Sequence, residues 1–151
     1  EAIVGPSPFP EVAVSRGVGK IIVELRELPP AGYWHDFPCC VTVASDETIA
    51  THPNIVKKFV ELIAKTNVWC NKNRKEAGTL SAAWIGLPAD AAKASRLVYL
   101  PKFTKSWMRG AGQYMAILNR MGNFTGRLKG KTLDEAKPVL FEMRFIGRAG
   151  L

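Results

Sequence analysis

Two cysteines stand side by side, Cys39 and Cys40, just after His35, and a third thiol follows at Cys70. Thiols and imidazoles are the side chains that ligate soft metals and attack electrophiles, so this stretch is the first place to look for chemistry. A closed structural zinc site takes about four ligands. Only His35, Cys39 and Cys40 cluster, so no closed zinc site and no metal ligand is expected, and a partial site completed by other residues stays open. An odd cysteine count is not a disulfide framework. Adjacent cysteines seldom bridge each other, because the peptide between them strains the disulfide. A Cys39–Cys70 or Cys40–Cys70 bridge stays open. Gly17-Val18-Gly19-Lys20 has the composition of a phosphate loop but not the G-x-x-x-x-G-K-[ST] spacing, and it precedes a β-branched run instead of following one. It reads as a helix end and turn. The two histidines, His35 and His52, lie far from any serine motif, and no paired carboxylates stand out, so hydrolase chemistry is not expected.

The elements that must position these groups follow from pattern and punctuation. Ala2-Ile3-Val4 reads as the end of a strand stopped by Gly5-Pro6. Ser7 caps a short helix whose first turn suits the prolines at 8 and 10 and which Gly17 closes. Gly19 to Leu25 is rich in β-branched residues and reads as a strand. Pro29-Pro30-Ala31-Gly32 marks a connector from Arg26 to Asp36. Phe37 to Ser45 reads as a further, largely buried strand. Asp46 then offers an N-cap for a one- to two-turn helix ending near His52. Pro53 opens a long helix to about Asn73, whose apolar positions Ile55, Phe59, Leu62, Ile63, Trp69 and Cys70 keep helical spacing; Cys70 reads as a core residue. Helices follow at about 74–85, 90–97 and from Thr104 or Ser106 to Met121. Thr132-x-x-Glu135 is a capping-box pattern, with Pro138 limiting that helix to little more than a turn. Three short strands for so many helices imply that part of a sheet lies elsewhere, on another chain or a missing stretch.

The chain has 151 residues, enough for one domain with a sizeable core, and its composition is ordinary for a globular protein. No apolar run approaches the roughly 18 residues that span a bilayer. It begins with Glu1, not Met, which implies processing, trimming or excision from something longer. The formal net charge of +8 is unevenly placed. Residues 1–60 carry five bases and seven acids, and between Ala91 and Leu133 there are nine bases and no acid. Such a stretch attracts anions, but its plainest role is a solvated basic face.

Two stretches resemble a known family together: Val4-Gly5-Pro6-Ser7-Pro8-Phe9-Pro10-Glu11-Val12-Ala13 with Gly17-Val18-Gly19-Lys20, and Phe37-Pro38-Cys39-Cys40-Val41-Thr42-Val43-Ala44-Ser45-Asp46-Glu47 with His52-Pro53-Asn54-Ile55-Val56-Lys57-Lys58-Phe59. They resemble the C-terminal half of solute-binding proteins of ABC importers, in the sulfonate/nitrate/taurine and thiamine-pyrimidine-precursor family. The resemblance is clear from Ala2 to about Ile85. It implies an α/β fold, part of the type II periplasmic-binding fold, with few strands followed by a helix-rich C-terminal half. Residues 1–28 would end the second lobe, 29–37 would be the crossover connector, and 38–151 would complete the first lobe.

The same resemblance implies a site. The loop Gly5 to Pro10 matches a loop that faces the cleft, with Ser7 where many relatives carry a glutamate. A hydroxyl in place of that carboxylate suits an anionic or neutral ligand. Phe9 would stack on a ligand ring or pack under the loop. Trp34 and His35, near the hinge, would line the cleft or pack on a lobe. Cys39 and Cys40 match the return crossover; adjacent strand residues point to opposite faces, so one at most would reach the cleft and the other would be core. The function implied is extracytoplasmic or periplasmic solute binding, lipid-anchored or soluble, without catalysis or cofactor, for a small anionic or heteroaromatic solute. The partners implied are a membrane permease and the N-terminal half of the same protein or a second copy, with no nucleic acid. Two alternatives remain. One is an enzyme or metal-dependent relative of the thiamine-pyrimidine synthases, a branch with a longer cysteine-rich run at this place that is linked to iron. The other is a nucleic-acid or anionic-surface binder using residues 91–133.

Overall fold

The computed structural model describes residues 1–35 and 37–146, without the side chain of Ile146. The connector residue Asp36 and the last five residues of the 38–151 span lie outside the described residues.

Local punctuation sets the helices. Helix α1 (Phe9–Ser15) has Pro10 in its first turn and is closed by Gly17 at φ 69°, where the Val18 N–H returns to the Ala13 carbonyl. Helix α2 (Asp46–Thr51) is capped not by Asp46 but by Ser45, whose hydroxyl accepts from the Thr48 N–H. Helix α3 (Pro53–Lys72) carries proline in its first turn, and α4 (Arg74–Ile85) ends at Gly86 in the left-handed region. Helix α5 is shorter than its pattern, Ala89–Ala94. Helix α6 (Lys105–Arg120) is capped by Thr104. Helix α7 (Leu133–Leu140) forms both halves of the Thr132/Glu135 capping box and runs through Pro138 to Leu140. The short α8 (Met143–Ile146) buries Phe145.

The helices pack through small residues. Helix α4 buries Ala77, Gly78 and Ala82 against α5, which buries Ala91 and Ala92. Helix α1 docks on α5, with Ser15 Oγ donating to Asp90 Oδ2 at 2.7 Å. Asn67 and Asn71, one turn apart on α3, hold the chain after α5: the Asn71 amide donates to the Tyr99 carbonyl (2.5 Å) and accepts from its N–H (3.1 Å), while Asn67 donates to the Leu100 carbonyl (2.9 Å). Helices α6 and α7 meet over Trp107, Ala111, Met115 and Ala136, and Phe103 stacks on Trp107 with ring centres 4.3 Å apart.

The expected α/β fold is overturned: no strand forms among the described residues. Residues 1–6, 19–24 and 37–45 are irregular, with a single 3-10 turn at Leu25–Glu27. The physical reason is pairing. A strand exists through hydrogen bonds to a neighbouring strand, and these runs have none. Glu24 (φ −91°, ψ 129°) and Ser45 (φ −70°, ψ 149°) take extended backbone as the cap residues of the helical turns that follow them. The expected burial of 37–45 fails with the pairing. Residues 39–45 are all exposed, Val43 by 82%, as are Ile3 (85%) and Ile22 (79%).

The core is correspondingly thin. Among the described residues seven of the eleven buried apolar ones are alanine, so large apolar side chains are mostly left outside. On α3, Val56 and Ala64 face inward; of the expected apolar stripe Ile55, Phe59, Leu62 and Trp69 are exposed, and Ile63 and Cys70 are half-buried.

Candidate functional site

Ser7 ends the turn before α1, and its side chain does not cap that helix. Its hydroxyl donates to Glu11 Oε1 at 2.7 Å and lies 2.8 Å from the Ser95 hydroxyl, just past α5. Glu11 is only 7% exposed, and its Oε2 is buried with no hydrogen-bond partner among the described residues. A buried polar atom without a partner costs about 1–3 kcal/mol. The carboxylate that the loop lacks at Ser7 is therefore supplied one helical turn later. A carboxyl group thus stands directly behind the Ser7 hydroxyl. Phe9, the first residue of α1, is exposed.

The second group of candidates sits on the connector against α6. Trp34 donates its indole N–H to the Pro29 carbonyl at 3.1 Å. Its ring lies between Tyr33 (5.0 Å, edge-on) and Phe37 (5.2 Å), and Phe37 continues to Tyr114 at 4.6 Å. The Arg109 guanidinium stands 5.4 Å over the Tyr33 ring and donates to the Tyr33 carbonyl. Gln113 donates to the Tyr33 hydroxyl, and its own amide oxygen is buried without a partner among the described residues. The connector can approach this closely because position 110 is glycine: a Cβ there would stand 2.6 Å from Pro38 Cδ. His35 is exposed, and its carbonyl accepts from Ser106 Oγ at 2.9 Å.

Cys39 and Cys40 are both exposed, with their sulfurs 3.5 Å apart. This overturns the expectation of one inward and one outward thiol. Alternation belongs to a paired, pleated strand, and none forms here. The hydrogen bond between the Cys39 and Cys40 thiols, with partial burial, raises the Cys39 thiol above its ordinary value.

The six sequence candidates are thus not brought together: Ser7 and Phe9 lie with α1, Ser7 reaching the end of α5, Trp34 and His35 lie with the connector and α6, and Cys39 and Cys40 are exposed just past the connector. A cleft of about 580 Å³ lies elsewhere, between α6 and α7, where Arg109, Lys131 and Thr132 are among its lining residues; none of the six lines it. Sequence reasoning missed Glu11, although its spacing of four from Ser7 across a helix start carried that signal. Ser95, Gln113 and Tyr33 gave none, because their partners are distant in the chain. Two of the nine bases in 91–133 hold other segments of the chain from exposed positions. Arg109 holds Tyr33, and Arg96 pairs with Glu24, whose other oxygen takes Arg26 at 2.6 Å. Burial would raise the Glu24 carboxyl, but the hydrogen bonds and charges of Arg26 and Arg96 outweigh it and hold it low.

Among the described residues no helix is long and apolar enough to cross a membrane, and no three His, Cys, Asp or Glu gather to hold a metal ion. Residues 1–86 match the family model described as the NMT1-like family, a family of sulfonate/nitrate/taurine-type solute-binding proteins. No curated protein and no solved structure matches the chain.

Proposed function

The chain belongs to the NMT1-like family, and on that premise we propose that it is the solute-binding component of an ABC importer, acting outside the cytoplasm without catalysis. The match over residues 1–86 carries this reading, because it spans both the Ser7 loop and the segment from Phe37 to Phe59. Its working partner is the importer's membrane permease. Closure around solute would use the connector 29–37 as a hinge, the motion typical of periplasmic binding proteins.

The solute is small, and Ser7 is the group that meets it. Since the Glu11 carboxylate accepts from Ser7 at 2.7 Å, an anionic group placed at Ser7 would be repelled. A neutral solute, heteroaromatic and offering a hydrogen-bond donor, fits better there than the anion that Ser7 by itself would favour. The exposed, unpaired runs at 1–6, 19–23 and 39–45 support a second polypeptide that supplies strands to pair with them.

A thermal-shift panel tests the function: taurine, an alkanesulfonate, nitrate and an aminopyrimidine, each added to the purified protein. A saturable rise in Tm is expected with the aminopyrimidine and not with the anions, since ligand at about 100 times Kd stabilises by about 2.7 kcal/mol; a rise with nitrate or the alkanesulfonate alone would overturn the neutral-solute reading. A cooperatively folded protein that responds to none, and that does not bind a purified permease, would overturn it.

A further inference from the structure

The two sulfurs of Cys39 and Cys40 stand 3.5 Å apart, and both residues are exposed. We propose that this vicinal pair is a two-sulfur binding site for a soft, thiophilic centre held at a bent angle, of the chemical class of trivalent arsenicals. The inference does not depend on which solute the protein carries.

The separation selects the geometry. With each sulfur about 2.3 Å from a bound soft centre, as in zinc thiolates, the observed spacing subtends roughly 100°. Linear two-coordination at the same bond length would need sulfurs about 4.6 Å apart. The pair therefore suits a pyramidal or tetrahedral centre without rearrangement. The surroundings narrow the class further. No third His, Cys, Asp or Glu joins a cluster among the described residues. Zinc in a protein site takes about four ligands, whereas a trivalent arsenical brings its own third substituent and asks only two sulfurs of the protein.

The thiols are also kept available. The single peptide between adjacent cysteines strains a disulfide, and both are free thiols here. Binding is a condensation with an arsenic–oxygen group. There two S–H bonds and the arsenic–oxygen double bond are broken, two S–As bonds form, and the oxygen leaves with both protons as one water. Arsenic stays trivalent and no oxidant is needed.

The test uses the reduced, desalted full chain and one equivalent of phenylarsine oxide. The protein is then gel-filtered in excess monothiol and read by intact mass and free-thiol count. The wild type should retain one phenylarsenic group and fall from three free thiols to one, and 2,3-dimercaptopropanol should remove the group. C70S should retain it, whereas C39S and C40S should each lose it, with circular dichroism unchanged because both side chains are exposed. Failure of the wild type to retain the group, retention by either single variant, or loss in C70S would each overturn the assignment. Retention of zinc ions alone without retention of the arsenical would overturn the class.

Discussion

Gly78 on α4 lies so close to Ala92 on α5 that a Cβ at position 78 would stand 2.7 Å from the Ala92 carbonyl oxygen. The obstacle is backbone, flanked by Lys93 Cα at 2.8 Å, so no side chain can swing aside. Gly78→Ala should destabilise by about 1–3 kcal/mol through overpacking, against a helix-propensity gain of up to about 1 kcal/mol. Gly112→Ala on α6 is the control, because its Cβ meets only Leu133, at 3.8 Å or more. It should be neutral or stabilising by up to about 1 kcal/mol. Urea unfolding of both variants decides the matter, and equal midpoints would show that α4 and α5 do not meet this closely.

Ser7 and Glu11 make a second test. Ser7→Ala removes the donor to a carboxylate that is already buried and half-unpartnered. A loss of about 1–3 kcal/mol is expected. Glu11→Gln keeps the volume, removes the charge and supplies donors of its own, so it should cost less than Ser7→Ala. If the Glu11 variant is the more damaging of the two, the carboxylate has a partner that this geometry does not include.

Asn71 holds both the N–H and the carbonyl of Tyr99. Asn71→Ala leaves two backbone groups without partners and should cost about 1–3 kcal/mol. Asn71→Asp should cost more at neutral pH, because a carboxylate oxygen would replace the amide donor facing the Tyr99 carbonyl. Thermal denaturation of the two variants at neutral and acidic pH reads the difference, which should narrow as the new carboxyl protonates.

Glu24 sets part of the acid limit. Its folded-state carboxyl is held below the ordinary value of 4.5 by Arg26 and Arg96, despite the opposing effect of burial. A depressed carboxyl contributes stability that is present above its unfolded value and lost as pH falls through the folded one. Glu24→Gln should therefore lower stability at neutral pH by about 1 kcal/mol and flatten the decline below about pH 4.5. An acid titration of Tm compares the slopes, and identical acid limbs for the two proteins would remove Glu24 from the account.

Much of the helical framework was legible because its signals are local. Pro53 opens α3, Gly86 closes α4, and Thr132 with Glu135 forms the capping box of α7, as their spacing required. Each depends on groups within one or two turns. The stop at Pro138 was misjudged, because the helix runs through that proline and two residues past it, to Leu140. Family membership was legible too, from ordered residues between Val4 and Phe59.

The sequence by itself determined the start of α3 at Pro53, the end of α4 at Gly86 and the capping box of α7, and it marked three runs as strands. Only the tertiary structure decided that those runs stay unpaired, that Glu11 turns its carboxylate to Ser7, and that Cys39 and Cys40 bring their sulfurs together. The reason is the reach of the interactions. A cap or a turn is settled by neighbours in the chain, whereas a strand, a buried carboxylate and a thiol pair are settled by what lies, or fails to lie, across space from them.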